Sequence, residues 1–155
     1  MSMKPAILMS ACLMGVNCRY DGGGKMVPQL AELMQLAHIV PVCPEILGGL
    51  TTPRTPSERV GDKVMMKDGT DVTAAFRRGA DEALRLAGLY GARIAVLKER
   101  SPSCGSGVIY DGSFSGQFKP GNGVTGELFK NSGIEVFGES RIQELIEKLR
   151  EEQVK

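Results

Sequence analysis

The stretch Arg93-Ile-Ala-Val-Leu-Lys-Glu-Arg-Ser-Pro-Ser-Cys-Gly-Ser-Gly107 decides how the chain is read. Its first part, residues 93–97, carries the apolar run of a strand covered on both faces. From Lys98 the chain turns polar and Gly-rich, so Cys104 falls on a loop leaving the end of a central strand. The same context occurs twice more. Cys12 follows Pro5-Ala-Ile-Leu-Met9, and Cys43 follows His38-Ile-Val-Pro-Val42. Three strand ends each deliver one thiol.

Working outward, residues 5–11 read as a first strand and 12–26 as a loop. Pro28 opens a helix at its permitted first-turn position, with Leu30, Leu33, Met34 and Ala37 on one face. Residues 38–42 are a second strand, and 46–62, with Gly48-Gly49 and prolines 53 and 56, read as irregular. Val64 to Asp71 predicts a small hairpin around Asp68-Gly69. A helix follows over about 72–89, capped by Thr70 or Asp71. Its apolar face is Val72, Ala75, Phe76, Ala80, Ala83, Leu84 and Ala87, and Gly91 stops it. After the strand at 93–97 comes a long loop, 98–121, in which Val108 to Gly112 forms a short edge strand and turn. Val124 to Lys130 reads as a short helix, Ile134 to Phe137 as a fourth strand, and 140–153 as the last helix. Strands alternating with helices imply right-handed crossovers and a parallel sheet. The expected fold is α/β: one domain over residues 1–155, a Rossmann-like parallel sheet of about four strands flanked by helices. Ligands in such folds bind beyond the carboxyl ends of the strands. Cys12, Cys43, Cys104 and Glu45 all fall at that edge.

Composition narrows the classes. A chain of 155 residues buries enough surface to fold without disulfides. The net charge of +1 disfavours nucleic acid, whose phosphates call for clustered Lys and Arg. No run approaches the ~18 apolar residues of a membrane span. The N-terminal residues lack the apolar core and cleavage site of a signal peptide, so the expected location is the cytosol. There the 4 cysteines are reduced, which points to metal binding or catalysis rather than a disulfide framework.

Thiolates suit zinc, copper or iron–sulfur clusters. Paired Cys-x-x-Cys spacing, common in structural zinc sites, is missing. Three scattered thiols suggest a 4Fe–4S cluster with one iron lacking a protein ligand, able to act as a Lewis acid. Buried, inert cysteines are the plain alternative. Cys18, in Val16-Asn-Cys-Arg-Tyr20, fits a fourth ligand, a neighbouring thiol, or no function. Glu45 is positioned for acid–base work, or for capping the following turn. Ser101 precedes Pro102 and is thereby extended. Its hydroxyl can orient water or a polar substrate atom, a role for which Ser103 competes. Arg19, Arg54 and Arg59 could bind an anion or a polar ring, but as single arginines they read as surface charges; His38 reads as structural. Gly22-Gly-Gly-Lys25 lacks the spacing of a phosphate loop.

Three segments carry a resemblance: Ser10-Ala-Cys-Leu-Met-Gly-Val-Asn-Cys-Arg-Tyr-Asp-Gly22, Cys43-Pro-Glu-Ile-Leu-Gly-Gly-Leu-Thr-Thr-Pro-Arg54 and Leu97-Lys-Glu-Arg-Ser-Pro-Ser-Cys-Gly105, followed by Ile109-Tyr-Asp-Gly112. Together they resemble the bacterial thiouracil desulfidase family over nearly the whole chain. The resemblance implies a 4Fe–4S cluster held by Cys12, Cys43 and Cys104, a catalytic glutamate at Glu45 and a catalytic serine at Ser101. It does not require Cys18. The implied substrate is a small thiolated pyrimidine such as thiouracil, hydrolysed to uracil and hydrogen sulfide. Sulfur transfer to a nucleoside or tRNA, a non-catalytic metal-binding protein, and Cys104 as a thiol nucleophile are the competing readings.

Overall fold

The computed structural model describes residues 4–154. In chain order the elements are β1 (Ala6–Ser10), α1 (Leu30–Leu36), β2 (His38–Val42), α2 (Pro44–Leu47), β3 (Ser57–Val60), β4 (Lys63–Met66), α3 (Thr73–Tyr90), β5 (Ile94–Leu97), β6 (Val108–Tyr110), β7 (Phe118–Pro120), α4 (Val124–Asn131), β8 (Glu135–Gly138) and α5 (Ile142–Val154).

β1 carries the centre of the molecule. It pairs in parallel with β2 on one side and β5 on the other, and β8 completes the order β2-β1-β5-β8. Successive residues of β1 point to opposite faces. Ile7 and Met9 meet Leu33, Leu145, Ile146 and Phe137 on the side of α1 and α5. Leu8 meets Ala83, Ala87 and Phe129 on the side of α3 and α4. Both faces are covered, which is why the strands are apolar in runs rather than in alternation. A parallel sheet between two helical layers is the architecture expected from the alternation of elements.

The order is what matters for function. The chain leaves β1 towards β2 on one side and later returns to β5 on the other. Loops after β1 and β5 therefore diverge, opening a crevice between their carboxyl ends at the switch point. Ser10 is 2% exposed at this junction. Its Oγ accepts the Lys98 N–H at 2.9 Å, tying the ends of β1 and β5 together.

Four local expectations are corrected. Residues 46–62 are not wholly irregular: α2 enters them, and β3 pairs antiparallel with β4 around Gly61-Asp62. The hairpin expected at 64–71 is reduced to a turn, Met66 N–H to Thr70 O at 2.8 Å, and one bridge from Met65 to Asp71. β4 takes its main partner from upstream. Met34 is 50% exposed rather than on the inner face of α1, whose buried positions are Leu30, Leu33 and Leu36. The loop 98–121 holds a second strand, β7, which pairs with β6.

Candidate functional site

A cavity of about 380 Å³ opens at the switch point, lined by Cys12, Cys18, Cys43, Cys104, Glu45 and Ser101 among others. Every residue to which the resemblance gives a role thus reaches one space, whereas Ser103 is buried against Thr125, their hydroxyl oxygens 3.2 Å apart. Each arrives by a different local device.

Cys12 sits in a short 3-10 turn, Ala11–Met14, that continues directly from β1 and ends at Gly15 with φ 90°. Cys43 stands at the N-cap of α2, with Pro44 at the first helical position. Proline suits that place because its missing N–H would be unpaired there anyway. Cys104 is 5% exposed and follows the turn after β5. Ser101 shapes that turn: its Oγ accepts the N–H of Ser103 and of Cys104, each at 3.0 Å. With both lone pairs engaged, the Ser101 hydroxyl has only its proton left to offer.

Burial and the neighbouring Cys43 sulfur push the Cys12 thiol up to about 11. The same two causes push Cys18 up to about 12. Burial raises Cys104 further still. That direction is opposite to the depressed pKa that activates a thiol nucleophile. A coordinated metal inverts this logic, since its charge deprotonates the thiols that bind it. Among the described residues no three His, Cys, Asp or Glu side chains converge on the position of one metal ion. The thiols surround a space instead. Four thiols on one cavity wall are the soft donor set that an iron–sulfur cluster takes.

Cys18 is 8% exposed and lines the same cavity. The Cys43 thiol donates to the Cys18 carbonyl at 3.8 Å. The Cys18 side chain thus stands beside the three thiols that the resemblance assigns to the cluster.

Glu45 lies in the first turn of α2. Burial raises its pKa, and the Arg54 guanidinium opposes that rise. Arg54 Nε donates to Glu45 Oε1 at 3.0 Å, with the Arg54 side chain only 4% exposed. Its Nη atoms reach the carbonyls of Thr51 at 2.9 Å and Cys18 at 3.0 Å. Arg54 is therefore not the surface charge expected of it. Arg59 is also corrected: it pairs with Glu127 at 2.9 Å and its side chain is 14% exposed. Arg19 remains half-exposed at the cavity mouth. His38 opens β2, at the far end of the strand from the thiols, and is exposed.

Ser10, Glu58 and Phe114 are the site residues that sequence reading passed over, and Arg54 is the one it misread. Arg54 had a signal, since it ends the second resembling segment. Glu58 and Phe114 had none, because a loop distant in sequence brings them together.

A doubly wound α/β scaffold with thiols, a half-buried carboxylate and a serine at its switch point defines a sulfur-lined enzyme site. The sequence model of the 2-thiouracil desulfurase family matches residues 7–141. The chain belongs to that family. It is 39% identical over 150 residues to the uncharacterized protein YbbK of Bacillus subtilis (strain 168), covering 90% of this chain and 99% of that one. Among solved structures it is similar to the [4Fe-4S]-dependent thiouracil desulfidase TudS, at 47% identity and a TM-score of 0.89. That match covers 95% of this chain and 99% of the other.

Proposed function

We propose that this protein is an iron–sulfur-dependent desulfidase that hydrolyses the C=S bond of a thiolated pyrimidine such as 2-thiouracil. Cys12, Cys43 and Cys104 hold a 4Fe–4S cluster, and Glu45 and Ser101 serve the reaction. The observation that carries this reading is the gathering of all five residues around one cavity, in a chain of the 2-thiouracil desulfurase family. The overall reaction adds water across C=S and releases uracil and hydrogen sulfide, with no net electron transfer.

When bound, a cluster with three protein ligands supplies Lewis acidity at its remaining iron, suited to a thiocarbonyl sulfur. The chain's own residues do the rest. Glu45, raised by burial, is the base that takes a proton from the attacking water and returns it to the departing sulfur. Arg54 fixes the carboxylate through Oε1 and leaves Oε2 for that exchange. Ser101 acts as a hydrogen-bond donor, because its oxygen is already committed to two backbone N–H groups. It donates to a polar atom of the ring or to the water. Substrate is a small molecule, and no described helix is long and apolar enough to cross a membrane.

The test is anaerobic loading with iron and sulfide, followed by incubation with 2-thiouracil. Uracil and sulfide should appear in equal amounts, with no added reductant. Glu45→Gln should keep the iron content while turnover falls at least ~100-fold, the usual reach of general acid–base catalysis. An inactive loaded protein, or a fully active Glu45→Gln variant, overturns the reading.

A further inference from the structure

Among the described residues Glu58 is the one buried charged residue, at 8% exposure. It sits in β3, yet its Oε1 accepts the N–H of Gly112 at 2.9 Å and of Phe114 at 3.2 Å. Both donors lie in the loop between β6 and β7. The carboxylate thus pins a loop more than fifty positions away in sequence. Packing reinforces the pin: a Cβ at Gly112 would stand 2.9 Å from the Arg59 carbonyl oxygen.

The pinned loop is strained where it meets the cavity. Among the described residues only Arg100 and Phe114 are non-glycines at positive φ, 68° and 57°, and both line the cavity. A bulky residue in that conformation is uncommon. It persists when the surroundings over-determine it, and such residues cluster at ligand sites.

Aromatic side chains are also concentrated here. The chain has 3 Tyr and 5 Phe, and Tyr20, Tyr110 and Phe114 line this one cavity. Tyr110 is already engaged with Phe118, ring centroids 4.9 Å apart, and Tyr20 is 42% exposed. Phe114 is the aromatic residue whose backbone is held by a dedicated carboxylate.

We propose that Phe114 is the stacking wall that selects a flat heteroaromatic ring, and that Glu58 is the positioning residue that holds it over the cavity. The assignment of the ring as a thiolated pyrimidine rests on the desulfidase reading above. Stacking on an aromatic face recognises planarity and tolerates changes at the ring edge. The site would then prefer cyclic planar thiocarbonyl compounds over small non-aromatic ones such as thioacetamide.

The test uses the cluster-loaded protein. Phe114→Leu keeps bulk but removes the π face, and Phe114→Tyr keeps both. The Leu variant should raise the KM for 2-thiouracil and weaken uracil binding in calorimetry by roughly 5- to 150-fold, with the Tyr variant close to the parent. Glu58→Ala should raise KM and speed hydrogen exchange of residues 111–117. Glu58→Gln keeps an Oε1 acceptor and should restore both. Uracil affinity and KM within twofold of the parent in Phe114→Leu and Glu58→Ala, at equal iron content, would overturn the proposal. If Glu58→Ala fails to fold, Phe114→Leu decides alone. A parent protein that binds uracil but leaves 2-thiouracil intact would defeat the desulfidase reading and not the wall.

Discussion

The Arg54 guanidinium lies 3.0 Å from the Glu45 carboxylate and is almost wholly enclosed, 4% exposed against 18% for its partner. The pair closes the cavity's acidic corner and also binds it to the cysteine loop, through the bond from Arg54 to the Cys18 carbonyl. Arg54→Ala should therefore cost about 2–3 kcal/mol of stability, since a partly enclosed carboxylate loses its charged hydrogen-bond partner. Activity should fall with it. Arg54→Lys should rescue little, because one ammonium cannot replace a fork that reaches Glu45, Thr51 and Cys18 together. Urea unfolding checks this. Combining Arg54→Ala with Glu45→Gln should recover part of the lost stability, as the orphaned charge is gone.

Replacing Cys12, Cys43 or Cys104 by Ser, one at a time, should lower bound iron and visible absorbance sharply after anaerobic loading. Cys18→Ser should retain both. Equal iron in all four variants would remove the three-ligand assignment. A loss confined to Cys18→Ser would redraw the ligand set.

Ser101 differs from Glu45 in what its loss disturbs. Ser101→Ala removes the acceptor for two N–H groups in the turn that presents Cys104. Leaving such groups unmet costs about 1–3 kcal/mol each where they are buried. Both iron retention and turnover should therefore drop in Ser101→Ala, whereas Glu45→Gln should lose turnover alone. Iron analysis beside the activity assay separates the two patterns. Ser101→Thr keeps the oxygen and should preserve the metal content.

The sheet was legible because three of its four strands announce themselves twice, by apolar runs and by the thiols at their ends. Cys12, Cys43 and Cys104 could be brought to one edge from topology alone. The β3–β4 hairpin was not legible, because Gly61-Asp62 competes with Asp68-Gly69 as a turn signal and only tertiary packing decides between them. Val64 is fully buried against α3 in this arrangement. Arg54 was misread for a related reason. A single arginine carries no periodicity, and its burial depends on Glu45 and the Cys18 carbonyl, which the sequence separates by 9 and 36 positions. Glu58 and Phe114 meet only because the 111–117 loop folds back on β3.

Acid should loosen the start of α3. Asp71 accepts from the Thr73 N–H at 2.9 Å and from its hydroxyl at 2.6 Å. These bonds hold its carboxyl below the usual value of 3.8. A carboxyl lowered in the folded state contributes stability above its unfolded pKa and loses it as pH falls through the folded one. The contribution should be intact at neutral pH and fade below about pH 4. Asp71→Ala should lower Tm at pH 7, and the gap from the parent should narrow below pH 4. A gap that stays constant with pH would show that the charge is not what holds the turn.

Gly79 decides how closely α3 approaches α2, and hence where Cys43 and Glu45 stand. A Cβ at Gly79 would collide with the Pro44 carbonyl, and one at Gly48 with the Ala75 carbonyl. The two glycines are reciprocal: each lets one helix lie against the backbone of the other. Gly→Ala in an exposed helix interior is normally favourable by up to about 1 kcal/mol. Gly79 is buried, and a backbone carbonyl cannot step aside as a flexible side chain can. Gly79→Ala should therefore destabilise by about 1–3 kcal/mol, the usual cost of overpacking. The displacement of α2 should also lower iron retention, because Cys43 moves with it. Gly88, on the same helix, meets nothing within 4 Å of an added Cβ. Gly88→Ala should be neutral or stabilising, so comparing the two by urea unfolding and iron content separates close packing from helix propensity.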